Sequence, residues 1–431
     1  MSETTHADTG AMIPPAQKSD GGHHHHEAEP MQDVATVPFF TPGVKFLAVL
    51  AVGAICVLAV RFIWGLGAVT NLNDQYPWGL WIGIDVATGV ALAAGGFTTA
   101  FVAHVMNREQ FEPLVRPALL TAALGYTFVG LGVCVDLGRY YNIWHFFVPD
   151  MVNGNSALYE VGLCVCLYLT VLYIEFLPIV CERFVGRVNL PGGLAALNGG
   201  VDRMLRVLQA TLNKVITVFI LLGVTLSCAH QSSLGTLMAL APTKLHPLWH
   251  SAVLPLQFLL SAFAVGLAMA TFESILASRA FKREIEMPIL RRLARFIPML
   301  LTLYLAAKVI DMANRGTYAY LNDFSLQSIS WLVEVVLGVI VPLLMLLTHR
   351  VRRDPRGLFT AAMMIVLGVA LNRINVFIIG YKPLYAEGPY IPAWTEILLT
   401  AGFISILVLL YRGACWIFPV LPKEEEGGSH A

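Results

Sequence analysis

Two pairs of carboxylates lie inside apolar stretches of this 431-residue sequence and recur in the same order: Asp136 then Glu160, and Asp311 then Glu334. Corresponding members are 175 and 174 residues apart. An ionisable side chain at membrane depth costs about 3 kcal/mol or more, so it tends to face a bundle interior or a wet cavity. Such groups mark ion, proton or substrate paths. The repeated acids therefore predict chemistry inside a membrane.

The elements that position these acids are long apolar helices. The chain is 57% hydrophobic and only 13% charged, which is typical of a polytopic membrane protein. A helix needs about 20 apolar residues to cross the hydrocarbon core. Ten segments meet that length and none shows the short alternating strands of a barrel, so the predicted fold class is all-α. The formal net charge is zero, which argues against nucleic acid as a partner.

The basic residues predict the orientation, because cytoplasmic loops retain Lys and Arg. The loops after even-numbered spans hold most of them, including Arg183, Arg187, Arg283, Arg350 and Arg353. Both termini are therefore expected in the cytoplasm, and the protein in the bacterial inner membrane. Residues 1–43 show no cleavable signal and are predicted to be a disordered cytoplasmic tail. Its run His23 to His26 could bind a metal ion or be incidental.

An internal repeat organises the spans. The motif LGVTL at 222–226 resembles LGVAL at 367–371, in addition to the paired acids. We predict a first span at 44–67, a four-helix bundle at 68–230 (spans 2 to 5), a second bundle at 231–380 (spans 6 to 9), and a last span with a tail at 381–431. A shift of four spans preserves direction, so the two bundles would be related by a parallel duplication.

The two halves differ in their charges. Span 2 carries Asp85, which shares a helical face with Gly89, Leu92 and Gly96, a small-residue ridge suited to close packing. Asp85 is therefore expected to point inward and to join Asp136 and Glu160 near one surface. In the second half, Lys308 and Asp311 are three residues apart and are predicted to neutralise each other.

Acids among aromatic residues suit quinone turnover. A quinone ring needs an apolar, aromatic cleft, and each two-electron cycle moves two protons that a desolvated acid can exchange. Asp136 is the first candidate for this exchange and Asp85 or His145 the second. The aromatic residues alone would also fit an ordinary interfacial belt.

Three sequence runs resemble the NrfD/PsrC (polysulfide reductase membrane subunit) family: NLNDQYPWGLWIGID at 71–85, CVDLGRYYNIWH at 134–145 and LYE at 158–160. Within that family they look most similar to the integral membrane subunits of periplasmic nickel–iron hydrogenases. The resemblance covers all ten predicted spans.

The resemblance implies a subunit without its own redox metal that passes electrons between a periplasmic iron–sulfur partner and quinone. A ferredoxin-like subunit and the hydrogenase large and small subunits are the implied partners, and menaquinone or ubiquinone is the implied substrate. The implied site residues are Asp85 and Asp136 for proton exchange, with Trp78, Trp81, Arg139 and His145 near the quinone. Because they lie near the same surface, we add Glu160 for proton exchange and Tyr140 for quinone binding.

Some family members are labelled b-type cytochromes, but this sequence does not favour haem. His104, His230 and His250 lie near span ends, with His104 opposite the other two, whereas a haem in a helix bundle commonly takes histidines from facing helices. The seven cysteines include no C-x-x-C pair, which argues against an iron–sulfur cluster or another metal site.

Two residues of the first bundle could supply protons from the cytoplasm. Glu175 and His104 lie toward that side, although Glu175 could instead pair with a loop arginine and His104 could cap its helix. Other readings also stay open. One is the membrane subunit of another quinone-linked complex, a molybdoenzyme or a multihaem cytochrome. The other is a secondary transporter, which would usually show matched helix interruptions near the midplane.

Overall fold

The computed structural model describes residues 32–386 and 388–422. Most of the predicted tail, including the run His23 to His26, lies outside the described residues, as do residues 423–431.

Within the described part of the chain, ten helices are long and apolar enough to cross a membrane, which confirms the all-α polytopic prediction. From span 1 to span 10 they are Pro42–Trp64, Trp81–Val105, Glu109–Asp136, Ala157–Phe184, Ala195–Ala239, Leu254–Phe281, Met287–Arg315, Leu326–Leu347, Pro355–Ile379 and Trp394–Ile417. Span 5 ends at Ala239, nine residues beyond the boundary proposed at residue 230.

The loops after odd-numbered spans meet at one end of the molecule, which we call the odd-loop end. There the His246 backbone N–H donates to the Gly380 carbonyl at 2.8 Å, and Asn71 Nδ2 donates to the Ile391 carbonyl at 3.0 Å. A 3-10 helix, Tyr140–Phe147, lies in the loop after span 3. This is the end at which Asp136 finishes its span.

The loops after even-numbered spans meet at the opposite, even-loop end. Strand β1 (Gln32–Asp33) pairs there with the antiparallel strand β2 (Leu421–Pro422). Arg283 of the loop after span 6 donates through Nη1 to the Pro422 carbonyl at 2.5 Å. Both ends of the described chain therefore lie with the even-numbered loops, on the same side of the span bundle.

Spans 2 to 5 pack around one another, and so do spans 6 to 9. The two groups meet along spans 2 and 6, where Gly266 lies so close to Thr98 and the Ala94 carbonyl that a Cβ would overlap both. They also meet where Gly83 of span 2 faces Ile378 of span 9. This packing suits the two proposed bundles, while their origin by duplication stays a prediction.

Spans 1 and 10 form a close pair beside the first bundle. A Cβ on Gly402 of span 10 would lie 2.1 Å from Ala54 Cβ of span 1, so only glycine allows this approach. Span 10 also contacts spans 2 and 3. The last span is therefore placed to contribute side chains to the first bundle, although it follows the second bundle in sequence.

Four segments of the spans are π-helical. They are Trp81–Thr88 and Phe101–Val105 in span 2, Val336–Ile340 in span 8 and Asn375–Ile379 in span 9. A π turn changes which face of the helix a side chain takes, and such turns are frequent at functional sites. Asp85 lies in the first of these segments, and Glu334 lies just before the third.

Candidate functional site

Asp85 is placed by close packing of span 2 against span 3. Gly96 packs against Ala122, and Gly89 packs against Val129. A Cβ added to Gly96 would lie 2.5 Å from Ala122 Cβ, and one added to Gly89 would lie 3.1 Å from Val129 Cγ2. Closer to the odd-loop end, span 2 packs against Gly132 of span 3, and a Cβ added to Gly132 would lie 3.4 Å from Asp85 Cβ. The structure thus confirms the predicted small-residue ridge and the inward direction of Asp85, whose residue exposure is only 8%.

Asp85 and Asp136 come together near the odd-loop end. Asp136 follows Gly132 by one helical turn, and the two carboxyl groups are close enough to interact electrostatically. Thr400 of span 10 donates through Oγ1 to Asp85 Oδ2 at 2.8 Å. Asp136 Oδ1 is buried and has no hydrogen-bond partner among the described residues. A buried carboxyl oxygen without a partner can accept a proton from a ligand placed beside it or donate one to it.

Arg61 of span 1 caps the C-terminal end of span 3. Its exposure is 1%, and it donates through Nε to the Val135 carbonyl at 2.6 Å and through Nη2 to the Leu137 carbonyl at 2.5 Å. Carbonyls at a helix C-terminus have no partner within the helix, so the guanidinium satisfies them. It also lies near Asp136 and 5.2 Å from the ring centre of Tyr140.

Glu396 adds a third carboxylate to this region. It is buried at the start of span 10, accepts from the backbone N–H groups of Asn71 at 2.9 Å and Ala393 at 3.0 Å, and also accepts from the Tyr390 hydroxyl. Burial and the hydrogen bond to Glu396 raise the pKa of the Tyr390 phenol, which therefore stays protonated and donates. Glu396 also lies near enough to Asp136 to interact with it electrostatically.

We call Arg61, Asp85, Asp136, Glu396 and Thr400 the carboxyl cluster. Spans 1, 2, 3 and 10 supply it. It combines a buried carboxyl oxygen that has no hydrogen-bond partner among the described residues with a fixed cation and fixed donors, so it can hold a polar ligand group and exchange a proton with it.

The predicted aromatic residues divide between two places. Trp81 is buried and donates through Nε1 to the Glu396 carbonyl at 3.2 Å, and Tyr140 covers Arg61, so both lie at the carboxyl cluster. Trp78 instead packs against Tyr381, with ring centres 5.9 Å apart. Arg139 is exposed, and His145 is partly exposed beside Trp144.

Glu160 occupies a different environment from the one expected. Its Oε1 accepts from Ser233 Oγ of span 5 at 2.5 Å, and the residue is exposed at the start of span 4. The structure therefore brings Asp85 and Asp136 together, with Glu160 on the span 4 and span 5 side of the bundle.

The two predicted proton-path residues have little contact with the cluster. His104 is exposed at the end of span 2. Glu175 is partly buried where span 4 crosses Gly223 of span 5. Among the described residues, no hydrogen bond links either of them to Asp85 or Asp136.

The second bundle holds a different polar cluster, and the predicted pair Lys308 with Asp311 is wrong. Lys308 Nζ forms its ion pair with Glu334 of span 8. Asp311 instead pairs with Arg315, with 2.7 Å from Nη2 to Oδ2, and accepts from Ser251 Oγ at 2.8 Å. Residues three apart can pair on a helix, but Glu334 is more deeply buried than Asp311 and pairs with Lys308 across the bundle.

Glu334 has four donors. Besides Lys308, Trp249 Nε1 donates at 2.9 Å, Asn372 Nδ2 at 2.9 Å and Asn375 Nδ2 at 2.7 Å. Its exposure is 1%. A carboxylate whose acceptor positions are all occupied stabilises the packing of the helices around it. Asp136 differs, because its Oδ1 accepts no hydrogen bond among the described residues.

Sequence reasoning missed Arg61, Glu396, Thr400 and Tyr390. The rule that singles out ionisable residues inside apolar spans also applies to Arg61 and Glu396. Both residues belong to spans that lie outside the two predicted bundles, so the repeat does not point to them. The contact of Thr400 with Asp85 joins residues 315 positions apart, and no local pattern signals it.

Comparisons with known proteins find similarity along most of the chain. The family model described as Polysulphide reductase, NrfD matches residues 68–384. The chain is 35% identical over 385 residues to the Probable Ni/Fe-hydrogenase 2 b-type cytochrome subunit of Escherichia coli, covering 87% of this chain and 92% of that protein. It is 24% identical to the Menaquinone reductase, integral membrane subunit, of Nitratidesulfovibrio vulgaris, covering 84% and 87%. It is also 22% identical to the Hdr-like menaquinol oxidoreductase integral membrane subunit of Archaeoglobus fulgidus, covering 82% and 88%.

The name of the Escherichia coli relative implies haem, and the histidines here do not fit a bis-histidine haem. His230 is fully buried, with Nδ1 3.2 Å from the Tyr126 hydroxyl and Nε2 without a partner among the described residues. His250 Nε2 is bonded to the Ala239 carbonyl at 3.0 Å, and His104 is exposed at the other end. These three side chains therefore do not supply the facing pair that such a haem takes, and the described residues hold no group of three or more His, Cys, Asp or Glu that could bind a metal.

Proposed function

The chain belongs to the NrfD family, and from this we propose that it is the quinone-reactive membrane subunit of a respiratory oxidoreductase, most specifically of a nickel–iron hydrogenase. The family match and the similarity to a hydrogenase subunit support the proposal. The single observation that carries it is the carboxyl cluster, with Asp136 Oδ1 buried and unpartnered among the described residues.

Asp136 would exchange the proton with a quinone oxygen, and Asp85 would hold a second exchangeable proton beside it. A quinone that accepts two electrons also takes up two protons, and two neighbouring carboxyl groups could each supply one of them. Thr400 would hold the Asp85 carboxyl group through its hydrogen bond, and Arg61 would fix the backbone on either side of Asp136 through its bonds to the Val135 and Leu137 carbonyls. Trp81, Tyr140 and the more distant Trp78, Arg139 and His145 would line the approach of the quinone ring.

The quinone, menaquinone or ubiquinone, would be a substrate, and electrons would come from or go to a partner. We propose a ferredoxin-like iron–sulfur subunit together with the hydrogenase large and small subunits. The names of other relatives, a menaquinone reductase and a menaquinol oxidoreductase, keep a different quinone-linked complex as the alternative. Glu160, Glu175 and His104 stay proposals for proton exchange and proton supply.

We place the protein in the bacterial inner membrane with the odd-loop end facing the periplasm. Most arginines in the loops lie at the even-loop end, which suits the cytoplasmic side. The carboxyl cluster would then lie near the periplasmic partner, and both termini would be cytoplasmic.

The test compares Asp136→Asn with Asp311→Asn in the purified complex. Asp311 occupies the corresponding place in the second half and pairs with Arg315, so it is a matched control. We expect Asp136→Asn to reduce quinone-linked electron transfer at least about 100-fold, the usual contribution of a proton-transfer group, with no effect on dye-linked activity of the partner subunits. Equal quinone-linked rates in the two variants would refute the assignment of Asp136.

A further inference from the structure

A cationic surface at the even-loop end of the second bundle has no role in the proposed quinone chemistry. Two adjoining depressions share Arg353. The first, about 360 Å³, is lined by His349, Arg350 and Arg353, and the second, about 280 Å³, by Met287, Pro288, Arg291 and Arg353. We call these four basic residues, His349, Arg350, Arg353 and Arg291, the arginine face.

Within residues 32–386 and 388–422, no carboxylate forms an ion pair with an arginine of the arginine face. The nearest carboxylate in sequence, Asp354, accepts from the Gly357 backbone N–H at 2.9 Å and so caps the start of span 9. Arg291 Nε is buried without a hydrogen-bond partner in the same part of the chain. Guanidinium groups without a carboxylate partner can donate hydrogen bonds to an external anion.

The arginine face adjoins an apolar surface. Span 8 ends at Leu347, two residues before His349. Leu344 and Leu347 of its last turn are 59% and 58% exposed, as expected of residues that face lipid acyl chains. Cationic depressions that adjoin an apolar helix face match a molecule with an anionic head and apolar chains, and basic pockets at the ends of membrane helices recognise such lipid headgroups.

We propose that the arginine face binds an anionic phospholipid that carries two phosphate groups, with one phosphate in each depression and Arg353 between them. The acyl chains lie along Leu344 and Leu347. The lipid joins the short helix Met287–Leu293 of span 7 to the helix His349–Arg353 that links spans 8 and 9. The second bundle then has a lipid-dependent contact that is independent of quinone chemistry.

The test measures lipid retention by the full-length protein in detergent with native mass spectrometry, using cardiolipin, phosphatidylglycerol and phosphatidylcholine. We expect one cardiolipin to be retained in preference to the other two lipids. Arg350→Gln with Arg353→Gln should weaken that retention about 30-fold. Each basic residue near a lipid surface raises the affinity about 5-fold, and two such residues are removed. The control is Arg183→Gln with Arg187→Gln, which removes the same charge from the last turn of span 4 and the loop after it and should leave retention unchanged.

Other outcomes would overturn the proposal. Equal retention of phosphatidylglycerol and cardiolipin would refute the two-phosphate assignment, and equal loss in both double variants would show that only net charge matters. Inorganic phosphate that displaces cardiolipin at equal concentration would make the surface a phosphate site with no part for the acyl chains. Should the double variant fail to fold, the charge-retaining variant Arg350→Lys with Arg353→Lys provides the comparison, and it should retain the lipid.

Discussion

At the scale of single residues, the carboxyl groups of Glu334 and Asp136 have opposite environments. Glu334 receives four donors, including Lys308, whereas Asp136 keeps one buried oxygen without a partner among the described residues. A filled hydrogen-bond shell stabilises a structure, and an unfilled one leaves capacity for a ligand or proton. This difference decides which half of the molecule we assign to chemistry.

The ion pair of Glu334 with Lys308 should be essential to stability. We expect Glu334→Gln to lower the free energy of unfolding by about 3–5 kcal/mol, because it leaves the Lys308 ammonium buried without a counter-charge. Adding Lys308→Met should restore part of that loss. The measurement is SDS-induced unfolding in mixed micelles.

Asp323→Asn is the control for that series. Asp323 is exposed in the same bundle, and its loss should change the free energy of unfolding by no more than about 0.5 kcal/mol. If the Glu334 and Lys308 substitutions were simply additive, the two residues would not be energetically coupled, contrary to this account.

At the scale of elements, the site depends on a helix pair that lies outside both proposed bundles. Spans 1 and 10 touch at Gly402 and Ala54, and they carry Arg61, Glu396 and Thr400 to the ends of spans 2 and 3. Their approach therefore sets the geometry of the carboxyl cluster.

Gly402→Ala should disturb that geometry. The new Cβ would lie 2.1 Å from Ala54 Cβ and 3.0 Å from the Leu50 carbonyl, so the helices must separate. We expect a loss of about 1–3 kcal/mol in stability, typical of overpacking, together with a lower quinone-linked rate. Gly413→Ala in the same span has no atom within 4 Å of its Cβ and should leave both quantities unchanged. Identical behaviour of the two variants would argue against a role for the helix pair.

Element positions were predictable from the sequence, while contacts between distant elements were not. Hydropathy located ten spans, and the ridge of Gly89 and Gly96 correctly placed Asp85 against a neighbouring helix. Local spacing misled at Lys308, because Asp311 is closer in sequence but Glu334 is its partner in space. The contribution of span 10 depends on its docking beside the first bundle, and that docking follows from packing between residues 315 positions apart.

At the scale of the whole molecule, the two ends differ in charge and chemistry. The even-loop end has the arginine face and both described chain ends, and the odd-loop end has the carboxyl cluster. Such an arrangement would let quinone chemistry and lipid binding occupy opposite surfaces of the membrane.

The proposed orientation predicts which loops are accessible from outside the cell. In a cysteine-free background, Asn153→Cys in the loop after span 3 should react with an impermeant maleimide in intact cells. Arg187→Cys in the loop after span 4 should react only after the inner membrane is permeabilised. The reverse pattern would invert the topology and place the carboxyl cluster on the cytoplasmic side.

We propose that the Asp85 and Asp136 carboxyl groups exchange protons with a quinone. Redox-difference infrared spectroscopy of the purified protein with bound quinone tests it most directly, because a carboxyl group that changes its protonation changes its C=O stretching band. We predict a carboxyl band on quinone reduction that is altered in Asp85→Asn, lost in Asp136→Asn and unchanged in Asp311→Asn. A band that persists unchanged in both Asp85→Asn and Asp136→Asn would contradict the account.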